Sequence, residues 1–389
     1  MVHSIENSNG TLMKLMEQVN DNHARSADFL TPTNQLQFRT KPEKGDWKPE
    51  SEIIMEGSGG EPTRFFDLND VAFSQVAVDA GLDTKTARKL QRVCPEEYDG
   101  VMNKLWQSEP KKKLLRTHLY SSNQELRYTQ VGNTGVARAW VSDKFKTFDN
   151  HNMLNATLPA IMESDAQFKV VNAVVTDKRL YLRLKSETHV GAGANLHDLM
   201  ANGLGLSNSE VGYGAISVYQ CFWTLECLNG MQTENRSRSA HITSARGQDD
   251  YGLLSDEAKS ADNRALELKT RDLVKAYSSR QNFDETIQKM RDAANDIVEG
   301  SVNTAAENLG KVLQLTKLEN KNVLDGLMQT IGQAGYAGQP VSRATMVNAV
   351  TAVANNPEIN VDNVDDWQKR GGQVLNMSKS DWARVAVAA

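Results

Sequence analysis

Gly135-Val-Ala-Arg-Ala-Trp-Val-Ser-Asp-Lys-Phe-Lys-Thr-Phe-Asp-Asn-His-Asn152 is the stretch on which the reading of the fold turns. Its first half alternates: Val136, Arg138 and Trp140 fall on one side of an extended chain, and Ala137, Ala139 and Val141 on the other. Upstream, Glu125-Leu-Arg-Tyr-Thr-Gln-Val131 alternates too. Gly132-Asn-Thr-Gly135 supplies a turn, so the two arms predict a hairpin. The second half ends in Asp149 and Asn150, either of which can cap a helix over 151–163 that presents Met153, Leu154, Leu158 and Ile161 on one side. A second hairpin follows, with arms Phe168–Val175 and Arg179–Lys185 around Thr176-Asp-Lys178. There Leu180, Leu182 and Leu184 are expected to face inward, and Arg179, Tyr181, Arg183 and Lys185 outward.

Working outward, glycines at 191, 193, 203, 205, 212 and 214 suggest one long loop over 190–214. Strand-like residues return at Ala215–Val218 and run into Cys221–Met231. From Ser255 the pattern is helical: Leu266, Leu273, Val274 and Tyr277 form one stripe, and Phe283, Ile287, Met290, Ala294 and Ile297 another. Further helices are expected near 302–331, 342–354 and 363–376. Upstream, residues 66–107 read as helices. Phe73–Leu90 resembles a helix-turn-helix, with Gly81 in the turn and Lys85, Arg88 and Lys89 on the recognition helix. It is read more simply as two packed helices with Gly81 as a C-cap and Asp83 as an N-cap, because the acidic Glu96, Glu97 and Asp99 follow. Residues 1–60 read as loosely ordered apart from a short helix around Thr11–Asn22, and Glu56–Pro62 as a flexible connector. The expected fold class is α+β: an antiparallel or mixed sheet built from hairpins, covered by helices, with a helical C-terminal region. The expected division is a flexible N-terminal extension (1–62), an α+β core (63–250) and a helical region (251–389).

Composition narrows the chemistry. A hydrophobic share of 39% with 24% charged residues indicates a globular chain. No apolar run approaches the roughly 20 residues a bilayer requires, and the start lacks a secretory pattern, so no membrane association is expected. Cys94, Cys221 and Cys227 are too few for a disulfide framework, which suggests a reducing, cytoplasmic compartment. The net charge of −5 hides an asymmetry: residues 101–190 hold 14 Lys/Arg against 8 Asp/Glu, while residues 1–100 hold 11 against 17. No phosphate-binding Gly-Lys-Ser/Thr loop, nucleophile elbow or zinc spacing is present, so no catalytic residue, metal or cofactor is assigned. Asp149, His151, His189, His197 and Asp198 are the one set that could converge on a metal. For Trp140 and Phe148 a place in the core is favoured over base stacking.

What remains is a basic and aromatic constellation. Lys111, Lys112, Lys113, Arg116, Arg127, Arg138, Lys144 and Lys146 stand against only Glu125 and Asp143, with Tyr128 interleaved. Arg179, Tyr181, Arg183 and Lys185 add a second set. Cations that track phosphates and aromatic faces that stack bases together hold single-stranded nucleic acid.

Four stretches carry a family likeness. They are Val78–Leu90 with Asn103-Lys-Leu-Trp106, Ala137–His151, Val218–Met231, and Asn348–Asn355 with Gly371-Gly-Gln-Val-Leu375. On these the chain resembles the phage- and plasmid-borne family known as domain of unknown function 932, over roughly residues 65–378. The resemblance implies a mobile-element protein and carries over no catalytic residues. The order hairpin, helix, hairpin, helical tail is also similar to that of single-strand annealing proteins of the Erf, Redβ and RecT kind. The expected function is therefore an ATP-independent, homo-oligomeric single-stranded-DNA-binding and annealing protein of phage recombination. The alternatives are an interaction protein with a phage or host protein partner, acting in anti-defence or virion assembly, and a metal-dependent nuclease.

Overall fold

The structure, a computed structural model, describes residues 8–41, 50–57, 59, 61–120, 133–194, 199–224, 230–239, 254–333, 336–356, 359 and 361–386. The chain is an α+β protein with two sheets. The first is mixed. It is built from β1 (Ser26–Pro32), β2 (Leu36–Lys41), β3 (Glu50–Met55), β4 (Arg64–Leu68), β5 (Lys112–Leu119) and β6 (Thr134–Ser142), in the order β1-β5-β6-β4-β3-β2. Only β4 and β6 run parallel. The second is antiparallel: β7 (Phe168–Val175), β8 (Leu180–Ala192), β9 (Leu199–Asn208), β10 (Ile216–Thr224) and β11 (Gly230–Ser239), in the order β11-β10-β9-β8-β7.

The N-terminal residues are not an extension. Helix α1 (Ser8–Arg25) and β1 to β3 belong to the body, and β3 pairs directly with β4 across the boundary expected at residue 62. Leu36 and Phe38 of β2 and Ile53 of β3 join Phe66 of β4 in one core beneath α2 (Asp70–Asp79), α3 (Thr84–Val93) and α4 (Pro95–Ser108). Local chemistry sets these helices. Asn69 caps α2 by accepting from Ala72 N at 2.8 Å, and Asp83 caps α3 through Lys85 N and Thr86 N. Gly81, at φ +79°, makes the turn between them. The plain helix pair is what forms.

The first predicted hairpin is described only in its second arm. Its first arm lies outside the described residues, and β6 pairs antiparallel with β5, which begins in the lysine run. The second hairpin forms as β7 and β8 around the expected turn. Leu180, Leu182 and Leu184 join a core with Leu15 and Val19 of α1, Met153 and Leu154 of α5 (Asn150–Met162), and Leu266 and Val274 of α6 (Asp256–Tyr277). The opposite side of β8 is not solvent-facing, because helix α11 (Val361–Leu375) reaches it. The long glycine loop is overturned as well. Most of 190–214 is strand, because Gly203 and Gly205 leave room for Trp223 and Tyr219 on β10, and a Cβ at either glycine would overlap those side chains.

The C-terminal region is helical as expected. Helices α7 (Arg280–Ala294), α8 (Val302–Val312), α9 (Lys317–Ile331), α10 (Arg343–Ala352), α11 and α12 (Lys379–Ala386) enclose their own core, in which Phe283 of α7 stacks on Phe222 of β10. No helix among the described residues is long and apolar enough to cross a membrane.

Candidate functional site

The site lies where the two sheets meet, and a register fault creates it. In the β5–β6 ladder Arg116 pairs with Ala139 and Thr117 with Ala137, which leaves Arg138 as the extra residue of a bulge. A bulge re-aims a side chain. Ala137, not Arg138, therefore shares the core with Trp140. Arg138 turns toward Glu210, with which it forms an ion pair. Strict alternation could not show this.

Beneath Arg138 sits Arg116, 1% exposed. Its Nε donates to Asp28 Oδ2 at 2.9 Å, its Nη2 to Asp149 Oδ1 at 2.7 Å and its Nη1 to the Glu210 carbonyl at 2.9 Å. One guanidinium thus ties β1, the start of α5 and the β9–β10 turn together. Burial works against that charge, but Asp149, Asp28 and Glu210 more than offset it and hold Arg116 firmly protonated. Burial would also raise Asp149, yet Arg116 and then Arg138 hold its carboxyl below the usual range. Asp149 occupies the cap position of α5 but spends its side chain on Arg116. Glu210 instead accepts from Asn150 N at 2.6 Å, placing a carboxylate at the helix start.

Two turns complete the site. In the β7–β8 turn, Thr176 Oγ1 accepts from Arg179 N at 3.0 Å. Ser209 then locks this turn to the β9–β10 turn: its hydroxyl donates to the Lys178 carbonyl at 2.7 Å and accepts from Tyr213 N at 2.9 Å. Gly212 adopts φ +83°, and Gln75 of α2 donates to the Val211 carbonyl at 2.7 Å. A Cβ on Gly214 would overlap the Arg179 guanidinium, so that glycine is the seat on which Arg179 rests. The result is Lys178 Nζ 5.4 Å from the ring centre of Tyr213, which is 40% exposed, with Arg179 beside it.

These elements surround a cavity of about 270 Å³. Gln18, Asn22 and Arg25 of α1 form one wall, and His118 and Arg138 of the first sheet another. Asn69, Asn150, the 175–179 turn and Glu210 with Val211 close the rest. Among the described residues, Arg138 Nε and Nη2, Arg179 Nε and His118 Nε2 are buried without a hydrogen-bond partner. Buried unpaired donors of this kind call for a ligand, ion or water. His118 is neutral: burial, then Arg138, Arg25 and Arg116, push it down to about 3.

The residues expected to line one basic path are dispersed. Lys111 and Lys113 lie at the opposite end of β5 from His118, where both approach Asp79, Lys113 at 2.7 Å. Lys112 to His118 spans about 20 Å of strand. Lys112 is exposed, and Lys144 is half-buried in the turn after β6. Lys146 pairs with Asp262 of α6. Arg183 is buried against Asp365 of α11 at 2.7 Å, and Tyr181 is fully buried, so neither offers a surface to a nucleic acid. Lys185 is half-buried and sits across from Lys169 on β7. Arg127 and Tyr128 lie outside the described residues, as do His197 and Asp198. Of the expected residues that are described, Arg138 and Arg179 line the cavity, and Arg116 is tied to its wall through the Glu210 carbonyl. Trp140 and Phe148 are core residues. Among the described residues no group of three or more His, Cys, Asp or Glu is placed to hold a metal: His151 stacks on His23 at 4.1 Å instead, and His189 against Phe283.

Sequence reading left out Arg25, His118, Glu210 and Tyr213. The signal available for Tyr213 was its position between two glycines, Gly212 and Gly214, beside a lysine and arginine at a hairpin turn. Comparison with family models, curated proteins and solved structures found no match to this chain.

Proposed function

We propose that this protein binds single-stranded nucleic acid, seating a phosphate at the cavity between the two sheets and a base against Tyr213. What supports this reading is one constellation: the two Ser209-locked turns hold Lys178 against the exposed Tyr213 ring, and Lys178 and Arg179 line a cavity in which Arg138 and Arg179 keep unpaired donors. A cation beside an aromatic face is the minimal unit of single-strand binding, and a stacked base contributes about 1–3 kcal/mol. The wider reading is a mobile-element protein of the bacterial cytoplasm that anneals strands as a homo-oligomer without nucleotide hydrolysis. It rests on the sequence resemblance.

The test is fluorescence anisotropy with a labelled single-stranded oligonucleotide over a range of salt concentrations. Wild type should weaken steeply with salt, as phosphate contacts require. Lys178→Ala and Arg179→Gln should bind more weakly with a shallower slope, and Tyr213→Ala should bind more weakly with the slope unchanged. A Lys112→Ala control, at the far end of β5, should match wild type. Equal binding by all four variants would refute the location. No binding by wild type at low salt would refute the function and favour a protein partner.

A further inference from the structure

Building on that reading, we infer that the cavity takes a phosphate monoester, the terminal phosphate of a strand, rather than an internal phosphodiester. Three observations carry the inference. The first is enclosure. Seven separate segments ring the space: α1, the end of β4, β5, β6, the start of α5 and the two turns. Walls from this many segments favour a group that enters end-on through the open side, as a terminal phosphate does. The second is size. About 270 Å³ falls just below the roughly 300–1,000 Å³ of sites for drug-sized molecules, which suits a phosphate with part of its sugar.

The third is the donor inventory. Arg138 is 6% exposed and spends one nitrogen on Glu210, leaving Nε and Nη2 unpaired; Arg179, whose Nε is also unpaired, lines the same cavity. Glu210 is already committed to Arg138 and Asn150 N, and Arg25 holds Asp21 at 2.7 Å. Of the remaining lining charges, Lys178 and Arg179 outnumber Asp177. A monoester offers three terminal oxygens and close to two negative charges to such donors; a diester offers two oxygens and one charge. Tyr213, whose ring Lys178 covers, is the aromatic face within reach of a base that follows the phosphate.

The experiment compares one single-stranded oligonucleotide carrying a 5′-phosphate, a 3′-phosphate or hydroxyls at both ends, with inorganic phosphate and a nucleoside 5′-monophosphate as competitors. A phosphorylated form should bind about tenfold tighter than the hydroxyl form. That ratio should fall toward one in Arg179→Gln, whose turn lies at the surface, and in Arg138→Gln as a second variant. Equal binding of all three oligonucleotides, weakened together in Arg179→Gln, would leave the nucleic-acid reading standing and overturn the terminal-phosphate inference. A rise in Tm with inorganic phosphate or the monophosphate, lost in Arg179→Gln, without oligonucleotide binding would support a phosphate-monoester site for a free ligand and remove the nucleic-acid reading. No response to any of these probes would overturn both.

Discussion

Replacing Arg116 with Met removes the guanidinium on which Asp28, Asp149 and the Glu210 carbonyl converge. Removing one partner of a buried ion pair costs about 3–5 kcal/mol, because the other charge is left uncompensated. Here the arginine is 1% exposed, while the carboxylates keep 28% and 20% of their side-chain surface. Solvent screens part of the loss, so the low end, about 3 kcal/mol, is expected at pH 7. The pH dependence has a definite sign. Asp149 is held below the usual carboxylate range in the fold, so it stabilises the protein above its unfolded pKa, and that contribution is lost as pH falls through the folded value. Asp28 goes the other way. Burial raises its carboxyl despite Arg116, so it already favours the protonated form, more so without the arginine. Both groups make the penalty of Arg116→Met full near pH 7 and smaller below about pH 4. Urea unfolding followed by tryptophan fluorescence at pH 7 and pH 4 measures this. A loss below about 1 kcal/mol at pH 7, or one that does not shrink in acid, would refute the hub. Asp149→Asn added to Arg116→Met should recover part of the stability, because it removes one stranded charge.

Three further outcomes are expected. Gly205→Val places a branched side chain where the Tyr219 ring lies and should destabilise the second sheet by about 1–3 kcal/mol by overpacking, read as a fall in the urea midpoint. Thr316→Ala removes half of a complete capping box with Glu319 and should cost about 1 kcal/mol, while Thr316→Ser should retain most of it in thermal unfolding. Burial pushes the Cys221 thiol up to about 12, so it should react with a thiol reagent only after unfolding; native thiol counts of wild type and Cys221→Ser should be equal, and faster native labelling of wild type would refute that packing.

Periodicity determined the parts of this protein that depend on nearest neighbours along the chain. The second hairpin was legible because Leu180, Leu182 and Leu184 alternate, the α2–α3 turn because Gly81 and Asp83 are local signals, and the C-terminal helices because their apolar stripes recur at helical spacing. The α+β class follows from the order of those patterns. Composition could not tell a solvent-facing basic residue from a buried one. Arg183 and Lys112 look alike in sequence, yet a helix some 180 residues further along supplies Asp365 to the first, and the second stays exposed. Glycine was ambiguous for the same reason: Gly203 and Gly205 read as loop because the Trp223 and Tyr219 rings that need the space lie on another strand. The candidate site depended most on tertiary structure. A one-residue bulge at Arg138 put Arg138 and Trp140 on different sides of β6, and two turns distant in sequence were locked by Ser209. Register and long-range pairing are set by the free energy of the whole assembly, so only the folded chain could decide them.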